Sequence, residues 1–272
     1  MHRVVLREEG DQPIEIPLLL DPEEECLWLG EFIYPWEGEP KISYRVEDGL
    51  LFVDNKAIGV SLRDPDHGLF DPKEIVTITS DCSHMVWNNL QQFVNLKAIC
   101  FTGIFRVEEF DLLENLQSLP RLKLLWFSWG NMLMDSALEY IGELHSLKVL
   151  GVPTAGITDE GLQRLKGCPD LRVLNLSQTG PFKGWGLGEL TNLTQLKRLI
   201  LSNTQINSDH LKYLLVFSAL QELNLEGTTV DDNGVDYIVS LSNLQKLNLT
   251  NTKISRDGYS KVRNELPNCD IQ

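Results

Sequence analysis

The chain repeats itself, and this restricts its fold more than any other property. Five segments share one apolar pattern: Leu147-Lys-Val-Leu-Gly-Val152, Leu171-Arg-Val-Leu-Asn-Leu176, Leu196-Lys-Arg-Leu-Ile-Leu201, Leu220-Gln-Glu-Leu-Asn-Leu225 and Leu244-Gln-Lys-Leu-Asn-Leu249. Their starts lie 24, 25, 24 and 24 residues apart. Two degenerate copies precede them, Leu96-Lys-Ala-Ile-Cys-Phe101 and Leu122-Lys-Leu-Leu-Trp-Phe127, and a weaker one starts at Ile75-Val-Thr-Ile-Thr-Ser80. A fixed period of this length marks stacked supersecondary units. One unit cannot bury its own apolar face, so each must lie against the next.

The second half of each unit has its own pattern. Ile157-Thr-Asp-Glu-Gly-Leu162, Ile206-Asn-Ser-Asp-His-Leu211, Val230-Asp-Asp-Asn-Gly-Val235 and Ile254-Ser-Arg-Asp-Gly-Tyr259 each follow a strand pattern. A further apolar residue comes three later, at Leu165, Leu214, Ile238 and Val262. The polar residue after the Ile or Val suits a helix N-cap, and the acidic residues after it suit the helix dipole. The i, i+3 apolar pair is the inward stripe of a short helix. Each unit is therefore one strand, one turn and one short helix. Leu150, Leu174, Leu199, Leu223 and Leu247 are expected to form one buried column. Helices are wider than strands, so the stack is expected to curve with the strands on its concave face.

On these motifs, residues 75–272 resemble leucine-rich repeat proteins, most specifically over 147–262, and in particular the bacterial type with an I-T-D-x-G-L second half. The repeats are also similar to those of F-box leucine-rich proteins and related plant-pathogen effectors, although no F-box-like helical pattern precedes them here. The resemblance implies an α/β leucine-rich-repeat solenoid: a curved horseshoe with parallel strands on the concave face and short helices on the convex face. It further implies a noncatalytic role in binding a protein partner. Glu265-Leu-Pro-Asn-Cys-Asp-Ile271 resembles the closing segment of such bacterial proteins, so the solenoid is expected to end there. The family often places Asn after the strand to tie adjacent coils. Here that column reads Thr179, Thr204, Thr228 and Thr252, whose hydroxyls can do part of that work.

The first 57 residues do not repeat and form, by expectation, a small β-rich acidic N-terminal cap, with the solenoid over 58–272, irregular to 146 and regular from 147. Ile14, Ile16, Leu18 and Leu20 alternate with other residues, as do Ile42, Tyr44 and Val46, then Leu51 and Val53. Such alternation marks half-buried strands, and Asp48-Gly49 between the last two runs is a two-residue hairpin turn. The formal charge of −15 is concentrated here: residues 1–74 carry 18 acidic against 7 basic side chains, and residues 75–272 carry 21 against 17. An acidic field repels nucleic acid and anionic membrane and steers basic partners. The N-terminus lacks an apolar signal core and no run reaches membrane-spanning length, so a cytoplasmic, membrane-free protein is expected.

Catalytic and cofactor motifs do not emerge. Gly184-Trp-Gly-Leu-Gly188 is glycine-rich, but it lies where a repeat helix starts, without the βαβ context of a phosphate site. Cys82-Ser-His84 has no evident partner pair for a metal. The five cysteines (Cys26, Cys82, Cys100, Cys168 and Cys269) are odd in number and show no CxxC, so each is read as a small buried residue. No cofactor is expected.

The concave face carries the candidate site. Strand alternation turns the third and fifth positions of each pattern away from the core. Leu124, Trp126, Val149 and Val173, with Trp129 just beyond the strand, form an apolar strip; Asn175, Arg198 and Ile200 continue it into a polar half. An exposed apolar strip with a polar rim is the expected form of a protein-binding surface, unless the N-terminal segment folds over it. Gln178-Thr-Gly-Pro-Phe-Lys-Gly-Trp-Gly-Leu187 replaces the usual second half and offers Phe182 and Trp185 as a second contact. Two other roles remain open on sequence: an acidic inhibitor or immunity-type protein neutralising a basic partner, and a secreted effector or adaptor acting on a host protein.

Overall fold

The computed structural model describes residues 90–101, 107–127 and 133–272, together with strands at 3–6, 14–21, 26–29, 44–47, 50–53, 56–62 and 77–80; for those strands, Ile78 excepted, and for 107–112 the description is of the backbone. Strands β1 (Arg3–Leu6), β2 (Ile14–Asp21) and β3 (Cys26–Leu29) form a separate antiparallel sheet. β4 (Tyr44–Glu47) and β5 (Leu50–Val53) pair antiparallel with Glu47 opposite Leu50; the expected turn Asp48-Gly49 lies outside the described residues. β6 (Lys56–Leu62) pairs with β5 and spans the 57/58 division. From there the sheet runs in parallel through β7 (Thr77–Ser80), β8 (Ala98–Phe101), β9 (Leu124–Phe127), β10 (Val149–Gly151), β11 (Val173–Asn175), β12 (Arg198–Ile200), β13 (Glu222–Asn224), β14 (Lys246–Asn248) and β15 (Asp270–Ile271). This is the leucine-rich-repeat solenoid that the spacing implies.

The register follows the repeat without slip. Ile78, Ile99, Leu125, Leu150, Leu174, Leu199, Leu223, Leu247 and Ile271 stand opposite one another in turn. All are buried in one apolar cluster between the strands and the helical side. The degenerate copies at 75, 96 and 122 thus hold the same register as the regular ones. Phe101 and Phe127 stack at 5.0 Å between ring centroids, filling positions that leucines take further on.

The helical side is built of short pieces: α1 (Asp135–Ile141), α2 (Asp159–Leu162), α3 (Val235–Ser240), α4 (Arg256–Glu265) and 3-10 turns that include Trp185–Glu189 and Ser208–Val216. All four expected N-caps act as such. Thr158 accepts from Gly161 N, Asn207 from Asp209 N, Asp231 from Asn233 N and Ser255 from Gly258 N.

The second-half motif also locks coil to coil. Asp135 accepts the backbone N–H of Thr158 at 2.8 Å, Asp159 that of Lys183 at 2.8 Å, Ser208 that of Asp231 at 2.9 Å and Asp232 that of Ser255 at 2.8 Å. Three residues after each of these cap positions lies a glycine: Gly161, Gly186, Gly234 and Gly258. A Cβ on any of these would strike the preceding coil, at Asp135, Asp159, Leu211 and Asp232 respectively. The acidic residue and the glycine of the motif are thus two halves of one contact between neighbouring coils.

Three expectations are corrected. Phe182 is not a surface contact. It is fully buried in the core cluster, because Phe182-Lys-Gly-Trp-Gly-Leu187 occupies the place of Ile157-Thr-Asp-Glu-Gly-Leu162 in the next coil, and Trp185 is half-buried. The threonine column does not tie coils together: Thr204, Thr228 and Thr252 donate to carbonyls three residues back in their own coils, each at 2.7 Å. Of the cysteines, Cys100 and Cys168 are buried but Cys269 is half-exposed. The side chain of Cys26 and all of Cys82-Ser-His84 lie outside the described residues.

Candidate functional site: the outer face of the sheet

Strand alternation places two rows on the face opposite the core. One row runs Ala98, Leu124, Val149, Val173, Arg198, Glu222, Lys246 and Asp270, the other Cys100, Trp126, Gly151, Asn175, Ile200, Asn224 and Asn248. The sequence-derived site residues Leu124, Trp126, Val149, Val173, Asn175, Arg198 and Ile200 therefore do share one face. Trp129 lies outside the described residues.

The expected exposure of the apolar strip is not observed. Leu124, Trp126, Val149 and Ile200 are all 7% exposed or less. Part of the reason is local. The Trp126 indole lies across Gly151 on the neighbouring strand, where any Cβ would meet the ring. The glycine makes a flat seat, and the aromatic ring buries itself there rather than standing out from the sheet.

The polar half is ordered differently. Arg198 Nε donates to Glu222 Oε2 at 2.6 Å, and Lys246 Nζ lies 3.8 Å from Glu222 Oε1. Arg198 and Glu222 side chains are 16% exposed and Lys246 is 32% exposed. With Asp270 next in the row, charge alternates in sign along four strands. Below them, Asn175, Asn224 and Asn248 each accept the backbone N–H two residues on, at 2.9 Å, and fix the turn that leaves the strand. The same turn holds Thr154, Gln178, Asn203, Gly227 and Asn251 at positive φ, once per coil. Sequence reasoning missed this column. Its signal is a polar or Gly residue four positions after each central Leu, in the left-handed region that Asn and Gly favour.

Among the described residues no cluster of three or more His, Cys, Asp or Glu could hold a metal ion. No helix among them is long and apolar enough to cross a membrane. Cys168 is sealed in the core, where burial first and Glu143 second push its thiol up to about 12. That is a structural thiol rather than a nucleophile.

No protein-family model matches the chain. No curated protein matches it either. Among solved structures it is similar to an internalin of Listeria monocytogenes, with a TM-score of 0.56 and 20% identity, over 80% of this chain and 58% of that one. It is similar to internalin C2 of the same organism, with a TM-score of 0.55 and 24% identity, over 74% of this chain and 81% of that one. A leucine-rich-repeat protein of Leptospira interrogans matches with a TM-score of 0.38 and 19% identity, over 74% of this chain and 62% of that one. At these identities the likeness is one of fold. Coil register, core column and solved relatives agree that the chain is a leucine-rich-repeat solenoid of the kind seen in the internalins.

Proposed function

We propose that the chain is a noncatalytic protein-binding module and that the outer face of its parallel sheet is the contact surface. The observation that carries this is the charged row Arg198–Glu222–Lys246, held in register and partly desolvated on a face with a regular backbone. Side chains fixed before association lose less entropy on binding, and alternating charge selects a complementary partner. Val173, Asn175 and Ile200 extend the row toward Trp126, Val149 and Leu124. Residues 1–57 serve, in this reading, as the cap of the solenoid.

The test is capture from native lysate by the full chain and by an Arg198→Glu/Lys246→Glu variant. The variant is expected to melt at a lower temperature, because Glu222 loses both partners, yet to unfold cooperatively and to lose the captured protein at temperatures where it stays folded. Equal capture by both would overturn the reading. The net charge of −15 favours a second reading, neutralisation of a basic partner. In that case affinity falls steeply with salt, whereas contact through desolvated groups depends on salt weakly.

A further inference from the structure

Burial on the outer face does not follow from the core. Ala98, Cys100, Leu124, Trp126, Val149 and Ile200 are all 7% exposed or less, yet none belongs to the apolar cluster between strands and helices. Something lies over them on the other side of the sheet. The burial also has an edge. Along the row just past the strands, Pro153 and Ser177 are buried, Ser202 is 7% exposed, Glu226 is half-buried and Thr250 is exposed. Along this row the cover spans β8 to β12 and ends before β13; in the row of Leu124 and Val149 the next residues, Val173 and Arg198, are half-buried.

Among the described elements, β3 comes up to the solenoid at β8, the first strand of this region. It belongs to a sheet that shares no ladder with the solenoid. Lifting it breaks no backbone ladder of the solenoid. The covered surface is also an imperfect interior. Asn175 Nδ2 and Ser177 Oγ are buried without a hydrogen-bond partner, which is uncommon in a closed interface. Both groups can meet a polar atom of another occupant.

We propose that the outer face from β8 to β12 is a groove closed in cis by the small sheet β1–β3. A polypeptide partner takes that sheet's place, laying apolar side chains on Trp126 and Val149 and an acceptor oxygen against Asn175 Nδ2. This deepens the binding reading above and rests on it.

Cysteine alkylation of the full chain tests the closure without any partner. Cys100 sits under the cover and Cys168 sits in the core, so the second thiol reports on the fold. Successive strand residues alternate faces, so Leu27→Asp and Trp28→Asp together probe both sides of β3. In the wild type, Cys100 is expected to react far more slowly than in urea. In at least one variant its rate is expected to rise at least about tenfold, with Cys168 still protected. Three results would overturn the proposal: a wild-type Cys100 as reactive as in urea, no change in either variant, or Cys168 opening together with Cys100. The last would make the small sheet part of the folding core. Unchanged capture by Arg198→Glu/Lys246→Glu would sink the binding reading and leave the Cys100 result standing.

Discussion

At the scale of the residue, one coil contact departs from the rest. Where other coils present Asp or Ser, the coil of Phe182 presents Gly184, with φ +116°, which has no side chain to receive the next N-cap N–H. That N–H, of Asn207, goes to Nδ1 of His210 in its own coil at 3.2 Å. His210 stands where other coils have glycine, and Gly184 clears the room: a Cβ there would come 3.2 Å from the His210 Cβ. Large and small residues have changed places across the contact, and an imidazole replaces a carboxylate or hydroxyl as acceptor. Only the neutral ring can accept at Nδ1. Burial, helped by Lys212 and opposed by Asp159 and Asp209, holds His210 below its ordinary value. A folded value below the unfolded one means the stabilisation is present above about pH 6.5 and is lost as pH falls below it. Hydrogen exchange across Asn207–Val216 is therefore expected to quicken between neutral pH and pH 5 more than across Asp231–Ser240, after correction for intrinsic rates. Equal change in both segments would remove His210 from this role.

At the scale of the element, strands and N-caps were legible because their signals are local. A Leu at a fixed period fixes the register, and Thr158, Asn207, Asp231 and Ser255 announce helix starts by their chemistry alone. Leu199 tests the register directly. It is fully buried in the middle of the column, so Leu199→Ala is expected to cost about 2–5 kcal/mol in denaturant unfolding. A loss below about 1 kcal/mol would place it outside the core. The candidate site was half legible. The alternation that put Leu124, Trp126, Val149 and Ile200 on one face held, but their burial depends on what lies over that face. Nothing in a strand pattern carries that information. Phe182 was misread for a related reason. Lys183 and Gly184 replace the polar cap and acid of the motif, so the coil looked like an insertion. The core position of Phe182 is visible only from its spacing of 25 and 24 residues to Ile157 and Ile206.

At the scale of the whole molecule, stability is shared between neighbouring coils, and the contacts between them are not interchangeable. Asp159 fits Gly186, Gly184 fits His210 and Ser208 fits Gly234, each pair matched in volume and in hydrogen bonding. Removing the coil Leu171–Gln195 alone would set Asp159 against His210, two large groups in room for one. Removing Leu196–Ala219 alone would set Gly184 against Gly234 and leave a void, with the Asp231 N–H unmet. Removing both sets Asp159 against Gly234, the pairing used elsewhere in the stack. The chain lacking both coils is therefore expected to melt at a higher temperature than either single deletion, although it has lost more of the core. A solenoid keyed in this way does not lengthen or shorten one coil at a time. Coils 171–195 and 196–219 act as a single unit, whose removal together leaves a matched contact and whose removal singly does not.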